Sequence, residues 1–157
     1  MPLRPARLTD RAALDALGAQ VLDTGAEFPF ERHEDFRAYW YATKAECWVA
    51  EDEGQILGSY VLKPVQPGRG AHVANAGYMV DPKARGRGLG RDLADHSIER
   101  ARALGYRAMQ FNYVVATNEA AVRLWREVGF EIVARLPGAF RHEREGWTDV
   151  LVLWRAL

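Results

Sequence analysis

The sequence predicts an α/β protein: a mixed sheet of about seven strands with helices on both faces. Three observations carry this. Four segments repeat apolar residues at helical spacing, while seven shorter ones alternate or run apolar as strands do. A strand–helix–strand step runs from 72–81 through 90–104 to 108–115, so those two strands should be parallel neighbours or nearly so. Asp52-Glu53-Gly54 lies between two alternating segments and signals an antiparallel hairpin. At 157 residues the chain suits one domain over 1–157, long enough to bury a proper core.

The elements follow in order. Leu3 to Leu8 reads as a short first strand, and Pro5 favours an edge. Thr9 suits an N-cap for a helix over Asp10 to Leu22, whose Leu14, Leu17 and Val21 share one stripe. Asp23 to Glu34 is irregular, and its Phe28 and Phe30 either line a substrate pocket or plug the core. Asp35 to Thr43 is a short helix with Phe36, Tyr39 and Trp40 at core spacing. Cys47 to Glu51 and Gln55 to Leu62 form the hairpin, and Pro64 to Gly70 a loop. A strand from Ala71 to Asp81 leads to a helix over Leu89 to Leu104, then a strand over Ala108 to Val115. Thr117-Asn118 caps a helix to Val128, and Gly129 stands where a C′ glycine belongs. Glu131 to Pro137 and Thr148 to Ala156 are late strands, with Gly138 to Gly146 a long polar loop between them.

Chemistry concentrates where the strand over 71–81 hands over to its helix. Arg85-Gly86-Arg87-Gly88-Leu89-Gly90-Arg91 puts three glycines and three arginines into one turn. Glycine lets backbone approach a ligand closely, and a helix start offers unpaired N–H groups and partial positive charge. The combination suits a phosphate; the bland alternative is a tight turn with solvated arginines. It is not the dinucleotide fingerprint, which needs glycine at Arg91, nor a P-loop, since no Gly-Lys-Ser/Thr follows.

Composition narrows the function. Lys+Arg and Asp+Glu number 21 each, which argues against a general nucleic-acid binder. The one cysteine, Cys47, allows no internal disulfide and suits a reducing, cytoplasmic setting. No apolar run approaches membrane-spanning length, Met1–Pro5 shows no signal-type start, and no metal site is expected.

Two motifs in order resemble the GCN5-related N-acetyltransferase (GNAT) superfamily over essentially the full chain. The first is Gln/Arg-x-x-Gly-x-Gly/Ala, here Arg85 to Gly90; the second is Asn118-x-x-Ala121-x-x-Leu124-Trp125-x-x-x-Gly129-Phe130. The resemblance implies a mostly antiparallel sheet that splays into a V between its fourth and fifth strands, with a bulge in the fourth. It implies acetyl-CoA as donor and a small-molecule amine as acceptor. Arg85, Gly86, Arg87, Gly88, Leu89, Gly90 and Arg91 would hold the pyrophosphate through backbone N–H groups. Free backbone at Met79 and Val80 would pair with the pantetheine arm, with an N–H near Val80 polarising the acetyl carbonyl. Asn118, Ala121 and Trp125 would face the cofactor. It also makes a homodimer through the C-terminal strands an expectation.

Trp125 departs from the pattern, because many members carry there a tyrosine taken to protonate the leaving thiolate. An indole N–H cannot serve as a titrating acid. Tyr78 and Tyr113 are stand-ins, with sheet packing the competing reading. Asn75 and Asn112 lie inside strands, where asparagine is depleted and a buried amide needs partners. If their faces open into one cleft, they grip a substrate carboxylate or orient its amine; otherwise they bond to local backbone. The stretch Phe111–Asn118, Asn75 and the turn Leu136–Phe140 are similar to the fungal acetyltransferases of azetidine-2-carboxylate and other proline analogues. In that subgroup, asparagines matching Asn75 and Asn112 are associated with the substrate site; Phe28, on the irregular loop, and Phe140, on the turn, complete the expected substrate contacts. Candidate bases are Glu27, Glu31, His33, His142 and Glu143, all on loops expected to flank the cleft. A protein acetyltransferase and a non-catalytic CoA-binding module are the competing functions.

Overall fold

Seven strands and four helices follow the predicted order: β1 (Leu3–Pro5), α1 (Arg11–Asp23), α2 (His33–Trp40), β2 (Glu46–Asp52), β3 (Gln55–Pro64), β4 (Val73–Val80), α3 (Leu89–Ala103), β5 (Ala108–Val115), α4 (Glu119–Glu127), β6 (Glu131–His142) and β7 (Gly146–Ala156). The structure is a computed structural model and describes residues 1–157. The strands make one sheet of order β1-β2-β3-β4-β5-β7-β6, antiparallel throughout except between β4 and β5.

Side-chain alternation sorts the core to the two faces of this sheet. Ala74, Ala76, Tyr78 and Val80 of β4 join the cluster that holds Leu89, Leu93 and Ile98 of α3 and Trp125 of α4. Met79, one residue out of phase, joins Leu14, Leu17 and Val21 of α1 and Phe36 and Trp40 of α2 on the opposite face. No helix is long and apolar enough to cross a membrane.

The V-shaped splay is present. β4 and β5 are eight residues each, yet they pair only at Val73–Ala108 and Ala74–Met109. The bulge is not in β4, whose register with β3 is unbroken from Gly58–Val80 to Pro64–Ala74. It sits across the gap in β5, between Phe111 and Val114, where β5 carries one more residue than β7.

Two further expectations change. The first strand stops at Pro5 because Leu8–Asp10 forms a 3₁₀ turn. Thr9 caps nothing: the Asp10 carboxylate accepts the Arg7 N–H at 2.6 Å and is held by Arg4 at 2.8 and 3.0 Å. The polar loop over 138–146 is instead the end of a hairpin, with β6 running to His142 and β7 starting at Gly146. Its charged residues lack alternation because β6 is an edge strand exposed along most of its length. The register jump between Leu136 and Phe140 absorbs Pro137, which has no N–H to give to a ladder.

Candidate active site

The parting of β4 and β5 opens a cleft of about 560 Å³ that runs from the glycine–arginine turn to the loop before α2. At the turn end, Asp81 caps a 3₁₀ turn over Pro82–Ala84 by accepting the Lys83 N–H at 2.9 Å. Gly86 and Gly88 then take φ of 79° and 80°, the left-handed region that side chains with a Cβ avoid. Nothing lies within 4 Å of a Cβ built on either, so dihedral angle rather than crowding demands glycine there. Gly90 is different: a Cβ would make an ordinary 3.6 Å contact with Leu124.

This geometry leaves the N–H groups of Gly86, Arg87, Gly88, Leu89, Gly90 and Arg91 without a backbone acceptor; the first helical bond of α3 is Asp92 N–H to the Gly88 carbonyl at 3.1 Å. Six successive free donors at a helix start fit a pyrophosphate. The Leu89 side chain is buried under the sheet, so only its N–H faces a ligand. All three arginines are half-exposed and hold carboxylates: Arg85 with Glu27 at 2.6 Å, Arg87 with Asp52 at 3.2 Å, Arg91 with Asp95 at 3.1 Å.

Backbone direction settles which β4 groups face the cleft. Val65 N–H donates to the Val73 carbonyl at 2.9 Å and Asp81 N–H to the Leu57 carbonyl at 2.8 Å. In an antiparallel ladder that phase turns the N–H and C=O of 73, 75, 77, 79 and 81 toward β3. Ala76, Tyr78 and Val80 therefore present free backbone groups to the cleft. Val80 has the expected direction; the backbone of Met79 does not, because Ser59 is its ladder partner.

The tyrosines expected as proton donors are committed elsewhere. The Ser97 hydroxyl donates to the Ala94 carbonyl at 2.8 Å, so it accepts from Tyr78 across 2.7 Å. The Tyr78 hydrogen thus points into α3, and burial pushes its pKa well up. Tyr113 donates to the Ala139 carbonyl. Trp125 is buried on the cleft wall with its ring centroid 4.6 Å from both Tyr78 and Phe111. Asn118 and Ala121 stand beside it along the cleft, Asn118 Oδ1 accepting the Ala121 N–H at 3.4 Å.

At the far end, Asn75 and Asn112 both line the cleft. Asn112 Oδ1 accepts from Gln110 at 2.6 Å, which leaves its amide hydrogens to a ligand. Burial pushes the Tyr39 hydroxyl up to about 12, offset in part by Asn75 beside it. Phe28 and Phe30 line the cleft and also pack on the core, Phe28 5.8 Å from Phe36 and Phe30 5.3 Å from Tyr39. The pair therefore plugs the core and lines the cleft at once. Phe140 does not reach the cleft: it is buried with Val115 and Val150 and lies edge-on to Tyr113 at 6.3 Å. Its side of β6 faces inward, behind Tyr113.

Of the five candidate bases only Glu27 lines the cleft. Glu31 pairs with Arg141, and His33 lies 3.9 Å from Asp23. His142 Nδ1 accepts two backbone N–H groups of the turn that carries Glu143. Sequence reasoning missed Tyr39 and Leu124 as wall residues; their helical spacing signals a core face, and here one face serves both purposes.

A family model described as the acetyltransferase (GNAT) family matches residues 15–130. A GCN5-related N-acetyltransferase from Kribbella flavida shares the fold with a TM-score of 0.93 and 37% identity, covering 99% of this chain and 97% of that one. YncA from Salmonella typhimurium, solved with its cofactor acetyl-CoA, matches with a TM-score of 0.87 and 25% identity over 100% of this chain and 94% of its own. An L-methionine sulfoximine/L-methionine sulfone acetyltransferase from Pseudomonas aeruginosa is 38% identical over 109 residues, 64% of this chain and 62% of that protein. The chain spans 47% and 14% of the lengths of the first two curated relatives it matches. A model matched from α1 to Phe130, on a fold shared end to end with a solved member, decides the family: the chain belongs to the GNAT acetyltransferases.

Proposed function

We propose that this protein transfers an acetyl group from acetyl-CoA to the amine of a small molecule, with amino acids and proline analogues as the acceptor class. The observation that carries the reading is the row of six unpaired N–H groups, Gly86 to Arg91, at the mouth of a cleft between parted strands. These groups and the Arg85 side chain bind the pyrophosphate. The free backbone of Ala76, Tyr78 and Val80 receives the pantetheine arm as an added strand. When bound, acetyl-CoA supplies an activated acyl carbon and a thiolate leaving group. The arm runs inward from the turn past Val80, so the cleft-facing N–H groups beyond it, of Tyr78 and Ala76, stand nearest the acyl oxygen and polarise it. Phe28 and Phe30 exclude water, and the free amide hydrogens of Asn112, with Asn75, orient the acceptor. No tyrosine hydroxyl is assigned to the thiolate, which leaves without a dedicated acid from this chain.

The small acceptor is supported by how the far end is roofed. The loop before α2 crosses from the turn to the β6–β7 hairpin, where its Gly25 carbonyl accepts the Glu143 N–H at 3.1 Å and Glu31 pairs with Arg141. An extended peptide would have to displace that roof. The relative named for L-methionine sulfoximine and L-methionine sulfone points the same way. We also infer that two copies pair along β6, an edge strand exposing Ile132, Val133 and Leu136 beside Trp147. A second copy meets it isologously and satisfies both edges.

Thiol release from acetyl-CoA tests the reading, against amino acids, azetidine-2-carboxylate, cis-4-hydroxyproline, polyamines, aminoglycosides and short peptides. Release with the small acids and none in Gly88→Glu is the expected result. Release with peptides alone would move the assignment to protein acetylation, and CoA binding without any release would leave a binding module.

A further inference from the structure

Only two charged side chains line the cleft, and they neutralise each other: Glu27 Oε1 accepts from Arg85 at 2.6 Å. Glu27 is the more enclosed, with 22% of its side chain exposed against 51% for Arg85. Its loop is tied at two other points, both on the β6–β7 hairpin, through Gly25 with Glu143 and Glu31 with Arg141. The Glu27–Arg85 pair is the side-chain tie between that roof and the phosphate turn.

A pyrophosphate at Gly86 to Arg91 competes for that tie. Arg85 adjoins the six free donors, and its planar fork suits phosphate oxygens at least as well as one carboxylate. Once Arg85 turns to phosphate, no other charged side chain of the cleft lining is left to pair with Glu27; Lys63 Nζ lies 3.4 Å over the Tyr39 ring and is not part of that lining. A partly enclosed carboxylate that loses its partner is costly until another cation arrives. The cation that enters this cleft is the acceptor's ammonium.

We infer that Glu27 is a partner-exchanging carboxylate and a specificity-determining residue: it holds Arg85 until pyrophosphate takes that guanidinium, and then receives the acceptor's ammonium. The inference rests on the acetyl-CoA reading above. It makes binding ordered, donor before acceptor, and favours acceptors that arrive protonated. By linkage, each ligand then tightens the other. Glu27 positions the cation; loss of the ammonium proton to solvent is a separate step.

Calorimetric titration of CoA and of inorganic pyrophosphate into wild type, Glu27→Gln, Arg85→Gln and the double variant tests this. Glu27→Gln should bind both ligands about fivefold tighter, the weight of one partly exposed ion pair no longer in competition. Arg85→Gln should bind them more weakly, and adding Glu27→Gln to it should change affinity by less than about twofold. For the best amine of the panel, KM should rise about tenfold in Glu27→Gln while kcat stays within about threefold. Unchanged or weaker CoA binding by Glu27→Gln refutes the exchange, and so does a gain that survives without Arg85. Wild type that binds no CoA would refute the acetyl-CoA reading itself and this inference with it, whereas wild-type binding matched by Glu27→Gln refutes only the exchange.

Discussion

Replacing Gly88 by alanine isolates what the turn asks of its backbone. Gly88 sits at φ 80° and ψ 3° and is the N-cap of α3, yet a Cβ there would touch nothing within 4 Å. The cost is therefore dihedral strain with no clash, about 1–2 kcal/mol for a left-handed residue that carries a Cβ. For a chain of 157 residues that lowers Tm by roughly 2–8 °C at about 2–4 °C per kcal/mol. Relief of the strain would swing the N–H groups at 88–90 off their common direction, so CoA affinity falls as well. Gly90→Ala is the matched control: its Cβ has room 3.6 Å from Leu124, and alanine should stabilise α3 by about 0.4–1 kcal/mol. CoA binding should survive it, since the family motif admits alanine there. Thermal denaturation followed by circular dichroism, with and without CoA, measures both effects at once. A Gly88→Ala protein as stable as wild type that also binds CoA equally would show that the left-handed turn does not build the anion site.

Other perturbations follow from particular contacts. Tyr78→Phe removes a hydroxyl bonded to Ser97, so stability should drop by about 1 kcal/mol while kcat stays within about threefold; a hundredfold loss of kcat would return Tyr78 to proton transfer. Arg4 holds the Asp10 carboxyl below the usual carboxylate range, and the Asp10 side chain is only 10% exposed. A depressed folded pKa gives stability that is full above the unfolded value near 3.8 and lost as pH falls through the folded one. Asp10→Asn should therefore cost about 1–3 kcal/mol at pH 7 in urea titrations, with the gap to wild type closing below that value; a pH-independent gap would contradict the ion pair. Trp147 is 75% exposed beside β6, and Trp147→Arg should shift sedimentation from dimer to monomer; a monomeric wild type would remove β6 as an interface.

What the sequence revealed and what it hid follow from how far each property reaches along the chain. The left-handed turn was legible because positive φ is a single-residue property, and glycine at 86 and 88 marks it. The crossover was legible because its length forces parallel strands. The direction of the β4 backbone was not. Whether 79 or 80 faces the gap depends on the Gly58–Val80 register, set by a strand some twenty residues earlier. The Tyr78 hydroxyl was hidden for the same reason: its acceptor, Ser97, is one position of a helix whose rotation the sequence leaves open. The outer end of the β6–β7 hairpin, over 138–146, was missed because an edge strand exposed along most of its length has no apolar rhythm to read. The ion pair of Glu27 and Arg85 joins residues 58 positions apart. These hidden features share a cause with the cleft itself. β4 is locked to β3 without interruption, whereas β5 spends an extra residue against β7, so the two part after two paired residues. The gap is a mismatch between neighbours of neighbours, and the backbone it leaves unpaired is what a donor that binds as a strand requires.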